Sequence, residues 1–284
     1  MLIFAPMKQP QLDYYDMGSG IVAFSSTRHG GCSKGSYAEF NINHYCGDSE
    51  EDIRQNRRAL CQQLGITDDR LLMPHQVHET KVVKIDERFF ALDDTERRSS
   101  LEGADALMTD LKGVCIGVST ADCIPVLLYD ETHHVVCAIH AGWRGTVKRI
   151  VMKAVVTMSA TYGTQPQQLK AQIGPGIHLE SFEVGDEVYE AFDQAGFEME
   201  LISKKLPSSD SGSKFFTLHS SFFTSKWHID LPECNRLQLI AAGLKAENIT
   251  VSPVCTFQQA DDYFSARRLG IDSGRIFTGI MQSE

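Results

Sequence analysis

Two kinds of apolar pattern alternate along the chain: short β-branched runs, and stripes of apolar residues three and four positions apart. The first reads as strand and the second as helix, because side chains alternate faces in a strand and recur every 3.6 residues in a helix. Residues 20–25 (GIVAFS) and 81–85 (KVVKI) read as strands. Three dense runs, 114–118, 124–129 and 135–139, are short, β-rich and separated by turns, so they read as central strands. Residues 249–254 and 275–281 read as late strands.

Four segments carry the helical period. Residues 49–64 begin with Ser49 as a cap and Asp52 three positions later. Ile53, Leu60 and Leu64 share a face, and Gly65 stops the run. Residues 145–162 give the clearest stripe, Val147, Ile150, Val151, Ala154, Val155 and Met158, ended by Gly163. Residues 186–195 are acidic at the start, as the helix dipole prefers. Residues 230–242 have Asp230 at the cap, Pro232 in the first turn and Gly243 at the end. The charged, aperiodic stretch 87–100 reads as a surface excursion, and 204–214 (KKLPSSDSGSK) as a mobile loop. No repeat or composition break divides the chain, so the expectation is one α+β domain over 1–284, with a mixed sheet and flanking helices.

Composition narrows the class. At 284 residues the chain is long enough to bury a core without staples, and 42% hydrophobic with 23% charged residues is ordinary for a globular protein. A net charge of −10 speaks against a nucleic-acid partner, which needs a basic stripe. No apolar run approaches the roughly 20 residues of a membrane span. The start, MLIFAPMKQPQLDYYD, does not read as a signal peptide. The eight cysteines include no CxxC pair, and they are expected as reduced thiols. Cys61, Cys115, Cys137 and Cys234 read as small buried hydrophobes. A cytoplasmic enzyme is the expected class.

Three segments concentrate the chemistry: HQVHET at 75–80, STADC at 119–123 and HAGWRGT at 140–146. Cys123 immediately precedes one expected strand and His140 follows the next. If these strands form an antiparallel hairpin, both residues fall at one sheet edge. His78, at the mouth of another strand, would complete a Cys-His-His set. Zinc favours such donors, and three protein ligands leave a fourth position for water. The same atoms serve equally well without metal. Cys123 would then be a nucleophile and His140 its base, with Asp122 or another polar group orienting the imidazole.

Two glycine-rich turns offer anion sites. TRHGGCS at 27–33 sets Arg28 beside two glycines, either as a clamp on a backbone nest or as a solvated side chain at a tight turn. GWRGT, with Arg144, leads into a helix whose start can bind an anion. IGPGIHLESFEVG at 173–185 reads as a structural loop, and FSARR at 264–268 supplies either a salt bridge or a substrate contact.

Together, GADALMTD at 103–110, TADCIPVLLYD, AIHAGWRGT, IGPGI with FEVG, and FSARR with Gly274 and Arg275 resemble the laccase-domain family, also called YfiH-like or multicopper polyphenol oxidase-like. The resemblance covers nearly the whole chain. It implies an α+β sandwich and one zinc per chain, held by His78, Cys123 and His140. It also implies phosphorolysis of adenosine, inosine, guanosine and methylthioadenosine, together with deamination of adenosine. Some relatives are linked instead to polyphenol oxidation or to control of peptidoglycan precursors. Where the family usually has glycine after QVH, this chain has Glu79, which would narrow the pocket mouth or add a carboxylate.

The family name invites copper, but the ten histidines include no His-x-His pair of the kind multicopper oxidases repeat. The usual zinc-deaminase signature, HxE with PCxxC, is also absent. The leading expectation is therefore a zinc-dependent purine nucleoside phosphorylase with adenosine deaminase activity. Arg28 and Arg144 are the candidates to hold phosphate, and Asp122 to transfer a proton. The alternatives are a Cys-His hydrolase acting on a small amide or peptidoglycan precursor, a polyphenol oxidase, and a non-catalytic metal-binding module. Oligomeric state is left open.

Overall fold

The structure is a computed structural model and describes residues 9–207 and 225–283. Its centre is a six-stranded sheet in the order Ile249–Val251, Lys170–Ile173, Ile124–Asp130, Val135–Ala141, Ala104–Thr109, Lys81–Ile85. The outermost pair at each end is parallel and the inner pairs are antiparallel. A five-stranded sheet, Leu12–Tyr15, Ile21–Ser26, Ile276–Gln282, Cys115–Thr120, Leu71–Leu72, packs against it. A small third sheet joins Glu183–Val184, Ser225–Ile229 and Ser203–Pro207.

The period of two in the central strands decides what each face meets. Val126, Leu128, Cys137 and Ile139 face the helices Ile150–Tyr162 and Leu231–Ala241, through Val151, Val155 and Leu239 among others. Leu127, Tyr129, Val136 and Ala138 point the other way and meet Ile116, Val118 and Ile280 of the second sheet. Both faces are thus buried, which is why these strands read as continuous apolar runs. The outer face of the second sheet is covered by Phe40, Ile42 and the helix Glu50–Leu64. The result is the expected α+β sandwich of mixed sheets with flanking helices.

Several elements fall where the pattern puts them. Ser49 caps its helix by accepting from the Asp52 amide, and Gly65 ends it in the left-handed region at φ 71°. Asp230 caps Leu231–Ala241. Cys61, Cys115, Cys137 and Cys234 are buried free thiols.

Other expectations are corrected. The stretch 87–100 lies at the surface as expected, but its aperiodic sequence forms the helices Glu87–Ala91 and Asp94–Leu101, started by Asp86 and by an Asp93–Glu96 capping box. The helix expected over 145–162 is two helices, Trp143–Val147 and Ile150–Tyr162, broken at Arg149 with φ 65°. The apolar stripe runs through the break, so periodicity alone does not reveal it. The strand expected over 249–254 ends at Val251, two residues before Pro253, which has no N–H for a ladder. Residues 204–207 lie in a strand rather than a loop, and 208–214 lie outside the described residues. Ala104–Thr109, which the pattern missed, is fully buried. Among the described residues no helix is long and apolar enough to cross a membrane.

Candidate metal centre

The hairpin Ile124–Asp130 to Val135–Ala141 is antiparallel and pairs Pro125 with His140. Cys123 and His140 therefore meet at one sheet edge, as strand geometry requires. His78 arrives from the segment that joins Leu71–Leu72 to Lys81–Ile85, and its backbone sits in the left-handed region at φ 63°. The possible ligand atoms of His78, Cys123 and His140 all lie within 4.8 Å of one another. Cys123 Sγ is 3.8 Å from His78 Nε2. The two imidazoles meet edge to face, with ring centroids 4.8 Å apart.

One carboxylate organises all of this. Asp105, fully buried in the strand Ala104–Thr109, accepts from three successive backbone amides: Val77 at 3.3 Å, His78 at 3.0 Å and Glu79 at 2.8 Å. It also binds His140 Nδ1 at 2.7 Å. The same side chain thus fixes the strained turn that carries His78 and turns His140 Nε2 toward Cys123. A ligand histidine is commonly oriented this way, with its second nitrogen on a carboxylate.

The electrostatics follow from this packing. Burial pushes the Cys123 thiol up, but the adjacent His140, and then His78, overcome it and hold the thiol at about 6. Burial pushes the His140 imidazole down, but Cys123 and Asp105 outweigh it and raise it to about 9. Burial also opposes charge on Asp105, yet the bonds from His140 and the backbone amides hold it below the usual carboxylate range. Among the protein groups alone, the pair rests as thiolate and imidazolium at neutral pH.

Gly142 shows how closely the three side chains are gathered. A Cβ built there would lie 2.8 Å from His78 Cδ2 and 2.9 Å from Cys123 Sγ, so only glycine lets the backbone pass beneath both groups. Gly142→Ala is expected to push His78 and Cys123 apart. It should lower metal affinity and turnover by roughly 10- to 100-fold, the scale of a misplacement near 1 Å. Metal titration and steady-state kinetics check this, and an unchanged variant would show that the close packing is incidental.

The three residues open onto a cleft of about 460 Å³, whose lining also includes Tyr45, His75, Ile271 and Arg275. Gln76 fixes part of its wall. Its amide donates to the Ser119 carbonyl and accepts from the Ser119 amide, both at 2.8 Å.

Four expected residues sit elsewhere or do other work. Arg28 is not among the cleft-lining side chains. Its guanidinium donates to the carbonyls of Ala38 and Ala260 and lies over the Phe264 ring. Arg144 does not line the cleft either; it is exposed and lies over Trp143. The carboxylate that orients His140 is Asp105. Asp122, at φ 86°, accepts from Thr256 Oγ1 at 2.8 Å and the Arg267 amide at 2.7 Å, pinning two distant segments beside Cys123. The Glu79 carboxylate is taken by Lys148, so it neither lines the cleft nor narrows it.

The sequence reading passed over Asp105 although it lies inside GADALMTD. The available signal was a lone acidic residue in an otherwise apolar run, since a buried carboxylate in a strand needs partners to offset its desolvation. Arg275, which stands in the sequence only as part of a motif, is the arginine among the cleft-lining residues.

The sequence matches the multi-copper polyphenol oxidoreductase laccase family over residues 22–283. A purine nucleoside phosphorylase of Bacteroides thetaiotaomicron is 44% identical over 93% of this chain and 92% of its own length. The adenosine deaminase RL5 of an unknown prokaryotic organism is 44% identical over 95% of this chain and 97% of its own. The crystal structure of YlmD from Geobacillus stearothermophilus superposes with a TM-score of 0.82 at 29% identity, covering 98% of this chain and 99% of that one. The chain therefore belongs to the multi-copper polyphenol oxidoreductase laccase family, and it is an enzyme.

Proposed function

We propose that the protein is a zinc-dependent purine nucleoside phosphorylase that also deaminates adenosine. The observation that carries this reading is the gathering of His78, Cys123 and His140 in one cleft, in a chain 44% identical to relatives named for those two activities. Two imidazoles and a thiolate are a donor set that suits zinc, and the expected content is about one zinc per chain. Dioxygen reduction on four coppers needs many more histidines, arranged in pairs that this sequence lacks. His78, Cys123 and His140 would hold the metal, which when bound would supply Lewis-acid chemistry in the cleft.

The chain's own residues do the rest. With metal bound, Asp105 would keep the His140 proton on Nδ1 and so leave Nε2 to ligate. Arg275, rather than Arg28 or Arg144, is assigned to phosphate. Arg275 is among the cleft-lining residues, and its guanidinium is fixed there by the carbonyls of Ile271, Ser273 and Gly274. The substrates are purine nucleosides (adenosine, inosine, guanosine and methylthioadenosine) with inorganic phosphate. Asp122 is not assigned proton transfer, because both its oxygens are engaged by Thr256 and Arg267.

One observation favours a second reading. Asp105, His140 and Cys123 form a row of the kind that activates a cysteine nucleophile. The protein would then be a hydrolase acting on a small amide or a peptidoglycan precursor. His78 has no part in such a row, whereas a three-ligand site uses it.

Product analysis of a nucleoside panel separates the two. Phosphorolysis should give free base and the corresponding sugar 1-phosphate only when phosphate is present, and deamination of adenosine should proceed with or without it. A metal-loaded protein that converts no nucleoside would contradict the proposal.

Acid should weaken zinc binding. Between about pH 6 and 9 the His140 proton must leave before its nitrogen can ligate, so lower pH favours the metal-free form. Affinity should rise about tenfold per pH unit across that window. Below it the slope should steepen, as Cys123 also takes up a proton. Competition against a chelator from pH 5 to 8 measures this, and a flat profile would contradict the assigned ligands.

A further inference from the structure

We propose that Tyr45 is the shelf on which the purine base stacks, with Ile271 as a second apolar contact. This rests on the nucleoside reading above. Among the described residues seven large hydrophobic side chains are exposed, and two of them, Tyr45 at 54% and Ile271 at 72%, line the cleft that holds His78, Cys123 and His140. The other residues of that lining are mostly polar or small. Exposed apolar side chains that converge on a polar cleft mark a place for a flat ligand with an apolar face.

The tyrosine ring is held in place although it is not packed into the core. It stacks on the His75 imidazole with ring centroids 4.0 Å apart and planes 21° from parallel. His75 is itself held by Glu102, 2.7 Å from its Nδ1. The Tyr45 amide donates to Asn43 Oδ1 at 2.6 Å, and Asn43 Nδ2 donates to Ser119 Oγ at 2.7 Å. Tyr45, which also borders a neighbouring cleft lined by His44, Arg57 and Leu101, is thus ordered at this rim before any ligand arrives, which lowers the entropy lost on binding. Every base has a π-face, and stacking on an aromatic side chain tolerates different bases. That tolerance suits an enzyme acting on several purines. With the base on Tyr45, the same cleft leaves Arg275 for the phosphate.

Tyr45 is thus assigned a positioning role, and its test separates substrate binding from turnover. Kinetics on metal-loaded protein should show Tyr45→Ala raising the nucleoside KM about tenfold or more, the scale of one lost base–aromatic stack. The phosphate KM and kcat should stay within about threefold. Tyr45→Phe should behave as wild type, because the ring and not the hydroxyl acts. Ile271→Ser should raise the nucleoside KM less. Free hypoxanthine titrated calorimetrically into each variant should weaken in parallel with the KM. Thermal unfolding of Tyr45→Ala should match wild type, as an exposed side chain leaves no cavity. Nucleoside turnover with an unchanged KM and unchanged hypoxanthine affinity in Tyr45→Ala would overturn the shelf alone. A loss of kcat at constant KM would also overturn it. Failure of the wild-type protein to convert any nucleoside would instead overturn the reading on which the shelf rests.

Discussion

Cys123→Ala is expected to remove the metal and lower nucleoside turnover by roughly a thousandfold or more, while leaving the protein folded. The size follows from what goes with the thiolate. Two imidazoles alone hold zinc poorly, and the metal contributes several kcal/mol of charge stabilisation to such reactions. The fold should survive because the site lies at a sheet edge, whereas the core is built from the two sheets and their helices. Elemental analysis, circular dichroism and steady-state kinetics on the same preparation check all three parts. A variant that unfolds outright would show a structural site, and one that keeps full metal content would show that Cys123 is not a ligand.

Asp105→Asn should lower metal affinity about 10- to 100-fold, the usual loss when the partner of a ligand histidine is changed. The carboxylate uses one oxygen for His78 N and His140 Nδ1, and the other for Val77 N and Glu79 N. An asparagine has a single acceptor oxygen, so one of these pairs must face an NH₂ group. If the amide turns its oxygen to Val77 and Glu79, His140 accepts on Nδ1 and its proton moves to Nε2, which blocks ligation. If it turns the other way, the Val77 and Glu79 amides lose their acceptor and the turn that carries His78 is loosened, at a cost in stability. Zinc titration and thermal unfolding distinguish the two outcomes, and a variant unchanged in both would remove Asp105 from the account.

How much of this was legible depended on the range of the contacts involved. The hairpin that brings Cys123 to His140 was readable, because its register follows from two apolar runs and the turn between them. Caps at Ser49 and Asp230 were readable for the same local reason. Asp105 was not, since its worth lies in a partner 35 residues away and in a turn 26 to 28 residues away. Nothing in the period of its own strand marks it. Arg28 failed in the opposite sense. A glycine-rich turn with an arginine looks the same whether it clamps an anion or packs against protein, and here Ala260, 232 residues later, takes the guanidinium. Arg144 stands exposed on Trp143. Tyr45 carried no motif at all; its place at the cleft comes from the stack on His75 and the tie through Asn43.

The central claim is that Cys123 works as a metal ligand and not as a nucleophile, and its rate of alkylation tests this most directly. The native, metal-loaded enzyme should react slowly with iodoacetamide at Cys123, because a metal-bound thiolate is a weaker nucleophile. Chelation should abolish activity and make the same residue react fast, as a thiolate held at about 6 requires. Added zinc should restore both the protection and the turnover. Fast alkylation of Cys123 in a chelator-treated, fully active enzyme would contradict the account and leave the Cys-His nucleophile in its place.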